Sequence, residues 1–227
     1  MGFGTFFFSS GGIGYHFRAV KYSEKLWDAF KANLGLWLRD WEQKNSSLLL
    51  IGPSAGYSLN ENFLRRYKKV YINEPDILAR MLFRRRFLNL NIENVHGEFI
   101  FSGKPFPDSD ILFCNVLGQL RLGQESLAKL MVRLDSKNFA SYHDLFSFRG
   151  SFQWLSERVY AGPKVNEAHL LSHFIQFTKE RELIVEDHGL LNFFPSRSRL
   201  ILHWEVVPGR HHLIECVSSN SFSFDKF

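Results

Sequence analysis

A chain of 227 residues, 45% of them hydrophobic, can bury one substantial core, and its 28 basic and 23 acidic side chains run along the whole length rather than forming a tail. The resulting net charge of +5 permits an anionic partner without requiring one; nucleic acid is therefore allowed but not indicated. Two cysteines, Cys114 and Cys216, each inside an apolar run, are too few and too far apart for a disulfide or metal framework, and no segment reaches the roughly 20 apolar residues of a membrane span.

The expectation is a cytoplasmic protein with buried, reduced thiols, no membrane partner and no bound metal. "FGTFFF" near the start has no basic residue around it before Arg18 and is too short for a secretory core, so no signal peptide is read there. The 24 Phe and 5 Trp point to a bulky aromatic interior.

In chain order, residues 1–14 are rich in Gly, Ser and Phe and read as an arm. Leu26, Phe30, Leu34, Trp37, Leu38 and Trp41 follow at helical spacing, with "YHFRA" (Tyr15 to Ala19) ahead of them and able to fold over a cleft. Strand-like runs come next at Leu48 to Ile51, Val70 to Ile72, Asn94 to His96, Ile111 to Asn115 and Phe139 to His143. Between them, Leu59 to Tyr67, Ile77 to Phe87 and Gln124 to Leu134 have helical patterns. Such alternation predicts an α/β fold, a doubly wound and mostly parallel sheet.

The end changes character. Leu200 to Val207 and His211 to Val217 are β-rich runs joined by Pro208, Gly209 and Arg210, which predicts an antiparallel hairpin and a seven-stranded sheet in all. About fifty residues, Leu145 to Arg197, separate the fifth strand from this hairpin and are expected to form a helical insertion. The division is a single domain over 1–227, with arm and aromatic helix at 1–45, core at 46–217 and insertion at about 145–197.

The stretch "SSLLLIGPSAGYSL" (Ser46 to Leu59) is a buried strand running into glycines, either a cofactor loop or only a tight turn. With "VYINEPD", "VHGEF", "DILFCNVLGQL" and the terminal hairpin in order behind it, residues 46–217 resemble a class I S-adenosylmethionine-dependent methyltransferase. The resemblance implies a Rossmann-like methyltransferase fold and S-adenosylmethionine as cofactor. It places Gly52, Pro53, Ser54 and Gly56 in the glycine loop, Glu74 and Pro75 at the end of the second strand, and Gly97 and Glu98 near the adenine, the alternative for these last two being a turn. The resemblance implies Glu74 as the carboxylate for the ribose hydroxyls, with Asp76 either its substitute or the cap of the following helix.

Two departures stand out. Leu50 lies two places before the first glycine, where the family has an acid, and Ser54 stands where it has a glycine. Ser54 also breaks the G-x-G-x-x-G spacing of a nicotinamide-binding loop.

Methyl transfer needs an aligned acceptor and, for some acceptors, a base. Asn115 ends the fourth strand, where it can touch cofactor or acceptor; Tyr142, His143 and Asp144 end the fifth, with His143 as general base and Asp144 or Tyr142 assisting. Each has a structural alternative, a loop cap for Asn115 and a hydrogen-bonded core imidazole for His143.

Arg84, Arg85 and Arg86 fall on an amphipathic helix and read as a solvated face. His169 and His173 share a helix face without a third ligand, and His211 and His212 alternate across a strand. The acceptor is unidentified. Beside the enzyme stand a catalytically inactive, methyltransferase-like binding or scaffold protein, motivated by Leu50 and Ser54, and RNA modification, motivated by the positive charge; "NVLG" stands where many base amino-group methylases have Asn-Pro-Pro-aromatic.

Overall fold

The computed structural model describes residues 12–96, 107–119, 124–150, 158–162, 170, 185–191, 193–194 and 197–220. Strand β1 (Ser47–Ile51) is flanked by β2 (Lys69–Asn73) on one side and β4 (Asp110–Cys114) on the other, with β3 (Ile92–Asn94) outside β2 and β5 (Phe139–Arg149) outside β4. All these pairs are parallel. The hairpin β8 (Arg199–Val207) and β9 (Arg210–Ser218) joins antiparallel through β9, which lies between β5 and β8.

Strand β5 owes its length of 11 residues to these neighbours. Its first half pairs β4 as far as Tyr142, and its second half passes beyond β4 and pairs β7 (Val185–Asp187) along the edge thereby released. With β6 (Val159–Ala161) against β8, the described sheet has nine strands where the sequence predicts seven. At three residues each, β6 and β7 are too short for a period-2 pattern to register. Both lie in the stretch read as a helical insertion, and the remainder of that stretch falls mostly outside the described residues. The third strand is Ile92–Asn94, two residues ahead of its expected place.

Alternation across β1 divides the core in two. Leu48 and Leu50 face a layer built from α2 (Asp28–Asp40), α3 (Glu61–Leu64) and α4 (Ile77–Arg86), with Phe30, Trp37, Phe63 and Phe83 among its buried residues. Leu49 and Ile51 face α5 (Gln124–Leu134) and the Leu190–Phe194 region. The aromatic stripe of α2 is packing surface: Phe30 stacks on Trp204 at 4.7 Å, and Trp27 Nε1 donates to the Val206 carbonyl at 3.0 Å. Helix α1 (Gly12–Tyr22) contains "YHFRA" and lies against the same layer through Ala19 and Tyr15. Both cysteines are buried and free, and no described helix is long and apolar enough to cross a membrane.

The second face holds buried charge. Glu215 is 3.0 Å from Arg199 Nη1 and 3.0 Å from His143 Nε2, and all three side chains are almost fully buried. Arg199 also donates to the carbonyls of Leu191 and Phe194, tying the chain before β8 to the sheet. Removing one partner strands the others without water. Glu215→Ala is expected to lower unfolding free energy by roughly 3 to 5 kcal/mol, read by chemical denaturation.

The hairpin carries histidines that resist protonation. Burial, with His211 and His212 nearby, pushes His203 down to about 3, and burial lowers His211 as well. A folded-state value below the unfolded one means that the unfolded chain takes up protons first, so this stability is complete above the unfolded value of about 6.5 and declines as pH falls from there. Denaturation midpoints are expected to drop between pH 7 and pH 4, and His203→Gln should flatten that slope.

Candidate functional site

The crevice of an open α/β sheet opens where neighbouring strands send their connections to opposite faces, here between β1 and β4. Three residues in the left-handed region follow β1: Gly52 at φ 65°, Ser54 at φ 50° and Gly56 at φ 69°. Opposite them Asn115, just past β4, has φ 51°. Non-glycine residues held in this region store strain, and here two of them face one crevice.

The glycines are required by the protein itself. A Cβ on Gly52 would lie 2.9 Å from Val116, and one on Gly56 would lie 2.6 Å from the Phe87 ring and 2.9 Å from that of Phe83. The side-chain direction of Gly56 is therefore filled by α4 and its C-terminal neighbour. Substitution there acts through folding, and does not serve to block a ligand. Gly56→Ala is expected to cost at least about 2 kcal/mol, from the positive φ and the ring contacts together, as read by thermal or denaturant unfolding.

Glu74 follows β2 and reaches back to the loop. Its Oε2 accepts from the Ser54 amide at 2.8 Å and its Oε1 from the Asp76 amide at 3.0 Å. Burial raises its pKa, against the pull of those two amides. Gly56 donates its own amide to the Pro53 carbonyl at 2.9 Å. Pro53 is buried in the loop and Pro75 is exposed, its carbonyl accepting from Arg80. Asp76 takes the capping role: its Oδ1 accepts from the Leu78 amide at 2.8 Å, starting α4.

Above the loop, His16 of α1 is 3.3 Å from the Tyr57 hydroxyl and 4.0 Å from the Asp76 carboxylate, while Tyr15 packs edge-on to Tyr57 at 5.9 Å. The "YHFRA" segment thus lies beside the glycine loop. Gly97 and Glu98, and also His169 and His173, lie outside the described residues.

Tyr142, His143 and Asp144, expected to end the fifth strand, lie midway along β5 where β4 stops, and there the structure joins Asn115, Tyr142 and Asp144 and sets His143 apart. Asn115 donates from Nδ2 to Asp144 Oδ2 at 3.2 Å and accepts the Asp144 amide at 2.9 Å. The Tyr142 hydroxyl is 2.8 Å from Ser58 Oγ, linking β5 to the glycine loop, and burial pushes that phenol well up. His143 points to the other face, 3.0 Å from Ser141 Oγ and 3.0 Å from Glu215, inside the second core. It is an imidazole of the buried ion network, away from the crevice. The imidazole beside Asp144 is that of His212, with Nδ1 3.0 Å from Oδ1. Although burial alone would raise Asp144, the His212 ring and the Asn115 amide hold its carboxyl below the usual value.

The sequence shows His212 only as alternating with His211 across a strand, and not as the partner of Asp144. Strand β9 pairs Ser147 with His212 and slips by one residue at a bulge between Asp144 and Phe146, so only the β5–β9 register reveals which imidazole meets the carboxylate. His211, on the opposite face, instead meets His203 at 3.0 Å. Among the described residues no group of three or more His, Cys, Asp or Glu is placed to hold a metal. Arg84, Arg85 and Arg86 are all exposed at the end of α4, with Arg86 over the Tyr57 ring.

Strand order and loop define a Rossmann-like, doubly wound α/β fold with its crevice at the switch point. No protein-family model and no curated protein matches the sequence. Solved structures are similar at low identity. An S-adenosylmethionine-dependent methyltransferase from Clostridium acetobutylicum shares 10% identity, with 90% of this chain and 98% of that one covered and a TM-score of 0.46. A SAM-dependent methyltransferase from Aquifex aeolicus shares 15%, covering 88% and 97%, at 0.40. A DhpI–SAM–HEP complex shares 14%, covering 89% and 93%, at 0.46. Likenesses this distant carry no argument of their own; the reading of this chain rests on its strand order and site geometry.

Proposed function

We propose that this protein binds S-adenosylmethionine in the crevice beside Gly52–Gly56 and transfers its methyl group to an acceptor beyond β4 and β5. The observation that carries the reading is the 2.8 Å bond from the Ser54 amide to Glu74. It sets a carboxylate, which only accepts hydrogen bonds, against the loop where a pyrophosphate would need donors. The Gly56 amide is likewise engaged within the loop. The helix that follows has only four residues, capped by Asn60 and begun by Glu61, so it offers no anion site.

An uncharged ribose and a cationic sulfonium suit this arrangement better than a dinucleotide. Two of about four lone-pair directions on Glu74 are used by amides. The remainder can accept ribose hydroxyls, and Gly52 and Ser54 shape the wall beside them. The cofactor supplies an activated methyl group on positively charged sulfur; the chain supplies placement and, for an acceptor that needs it, a base.

A binding-only version of the same site is favoured by Leu50, which is fully buried in the core and leaves the end of β1 without a carboxylate for the amino-acid end of the cofactor. The two versions part on turnover. Both predict that Glu74→Gln weakens S-adenosylmethionine binding about tenfold to a hundredfold, the loss of roughly 1.5 to 3 kcal/mol of charge-assisted hydrogen bonding. Calorimetry on a variant whose melting temperature is nearly unchanged checks this, and unchanged affinity would remove Glu74 from the site.

A further inference from the structure

Two ring nitrogens on one face of the hairpin have no hydrogen-bond partner among the described residues. His212 and Trp204 are direct cross-strand neighbours, with ring centroids 6.2 Å apart. His212 Nε2 and Trp204 Nε1 are both buried, and neither has a hydrogen-bond partner among the described residues. The other edges of both rings are fixed: His212 Nδ1 is held by Asp144, and the Trp204 indole is stacked on Phe30 and edge-on to Trp27 at 4.9 Å. Buried polar groups of this kind normally find partners.

An indole N–H can only donate, whereas an imidazole nitrogen backed through its other nitrogen by a carboxylate presents a lone pair. A hydroxyl can accept from the first and donate to the second. We propose that His212, oriented by Asp144 and Asn115, is the general base for a phenolic hydroxyl whose oxygen is held by the Trp204 N–H. The proposal rests on the cofactor reading above and names the acceptor class for the same site.

Chemistry narrows the hydroxyl to a phenol. A phenol is far more acidic than an aliphatic alcohol, so its proton is within reach of an imidazole base. An amine brings its own lone pair, and a carboxylate needs no base and would meet Asp144. Tyr15 of α1, with its ring 6.1 Å from that of Trp27, which is itself edge-on to Trp204, adds another aromatic side chain to this wall.

In the reaction the phenol oxygen bonds to the methyl carbon as the carbon–sulfur bond breaks, its electron pair remaining on sulfur as the thioether. The phenol proton passes to His212 Nε2. The positive charge lost from sulfur thus ends on an imidazolium beside Asp144, and its proton then leaves to water.

The test uses the full chain labelled with 15N in histidine and tryptophan, the His212 and Trp204 ring signals being assigned from His212→Gln and Trp204→Phe. Phenol and catechol are the probes, added with and without S-adenosylhomocysteine, whose own binding is measured by calorimetry. Both ring signals are expected to shift on adding a probe. His212→Gln is expected to keep S-adenosylhomocysteine affinity within about twofold yet lose a hundredfold or more in probe O-methylation, the usual scale of a lost general base. Asp144→Asn should cut the same rate. A folded wild type whose two ring signals stay unmoved by either probe overturns the proposal. If the rings shift but S-adenosylhomocysteine does not bind, the cofactor reading fails and the hydroxyl site stands.

Discussion

The bond between the Ser54 amide and the Glu74 carboxylate is the constraint around which the crevice is arranged. It joins the loop after β1 to the end of β2, so the loop's left-handed turns are held by something outside the loop. Glu74 is held in turn through the Asp76 amide, and Asp76 caps α4, whose Phe83, with Phe87 just beyond, fills the space beside Gly56. Loop, second strand and fourth helix therefore form one unit, and a change at any of them is felt at the crevice.

The same unit explains why the glycines are glycines. At Gly52 and Gly56 a side chain would meet Val116 or two phenyl rings, and φ is positive at both. Close packing of protein on protein lets the loop turn sharply between β1 and its neighbours, and the polar chemistry is left to Glu74. Opposite, the reciprocal bonds between Asn115 and Asp144 do the equivalent work for β4 and β5. The site is thus two hydrogen-bonded clamps facing each other across the switch point, one with a carboxylate toward the loop and one with a carboxylate toward His212.

Much of this is legible in the amino-acid sequence alone. Helix Gln124–Leu134 has the bounds its periodicity gave, and β1, β2, β4 and the hairpin fall within a residue or two of their apolar runs, because length, turns and branched residues mark them locally. What escaped depended on long-range register. Strand β5 is buried on both faces for ten of its eleven residues, so no alternation tells which of Tyr142, His143 and Asp144 faces which way. The bulge after Asp144 and the pairing with β9 decide it, sending His143 to Glu215 and bringing His212 to Asp144. Short strands such as β6 and β7 carry too few residues for any period to register.

On the reading proposed above, the crevice takes S-adenosylmethionine and refuses a dinucleotide, because the Glu74 carboxylate occupies the Ser54 amide that a phosphate would need. Calorimetry of the intact chain with S-adenosylmethionine, S-adenosylhomocysteine and NAD in parallel tests it most directly. The account predicts saturable one-to-one binding of the first two and none of the third. A folded, monodisperse protein that binds NAD, or that binds neither sulfur compound at millimolar concentration, would contradict it.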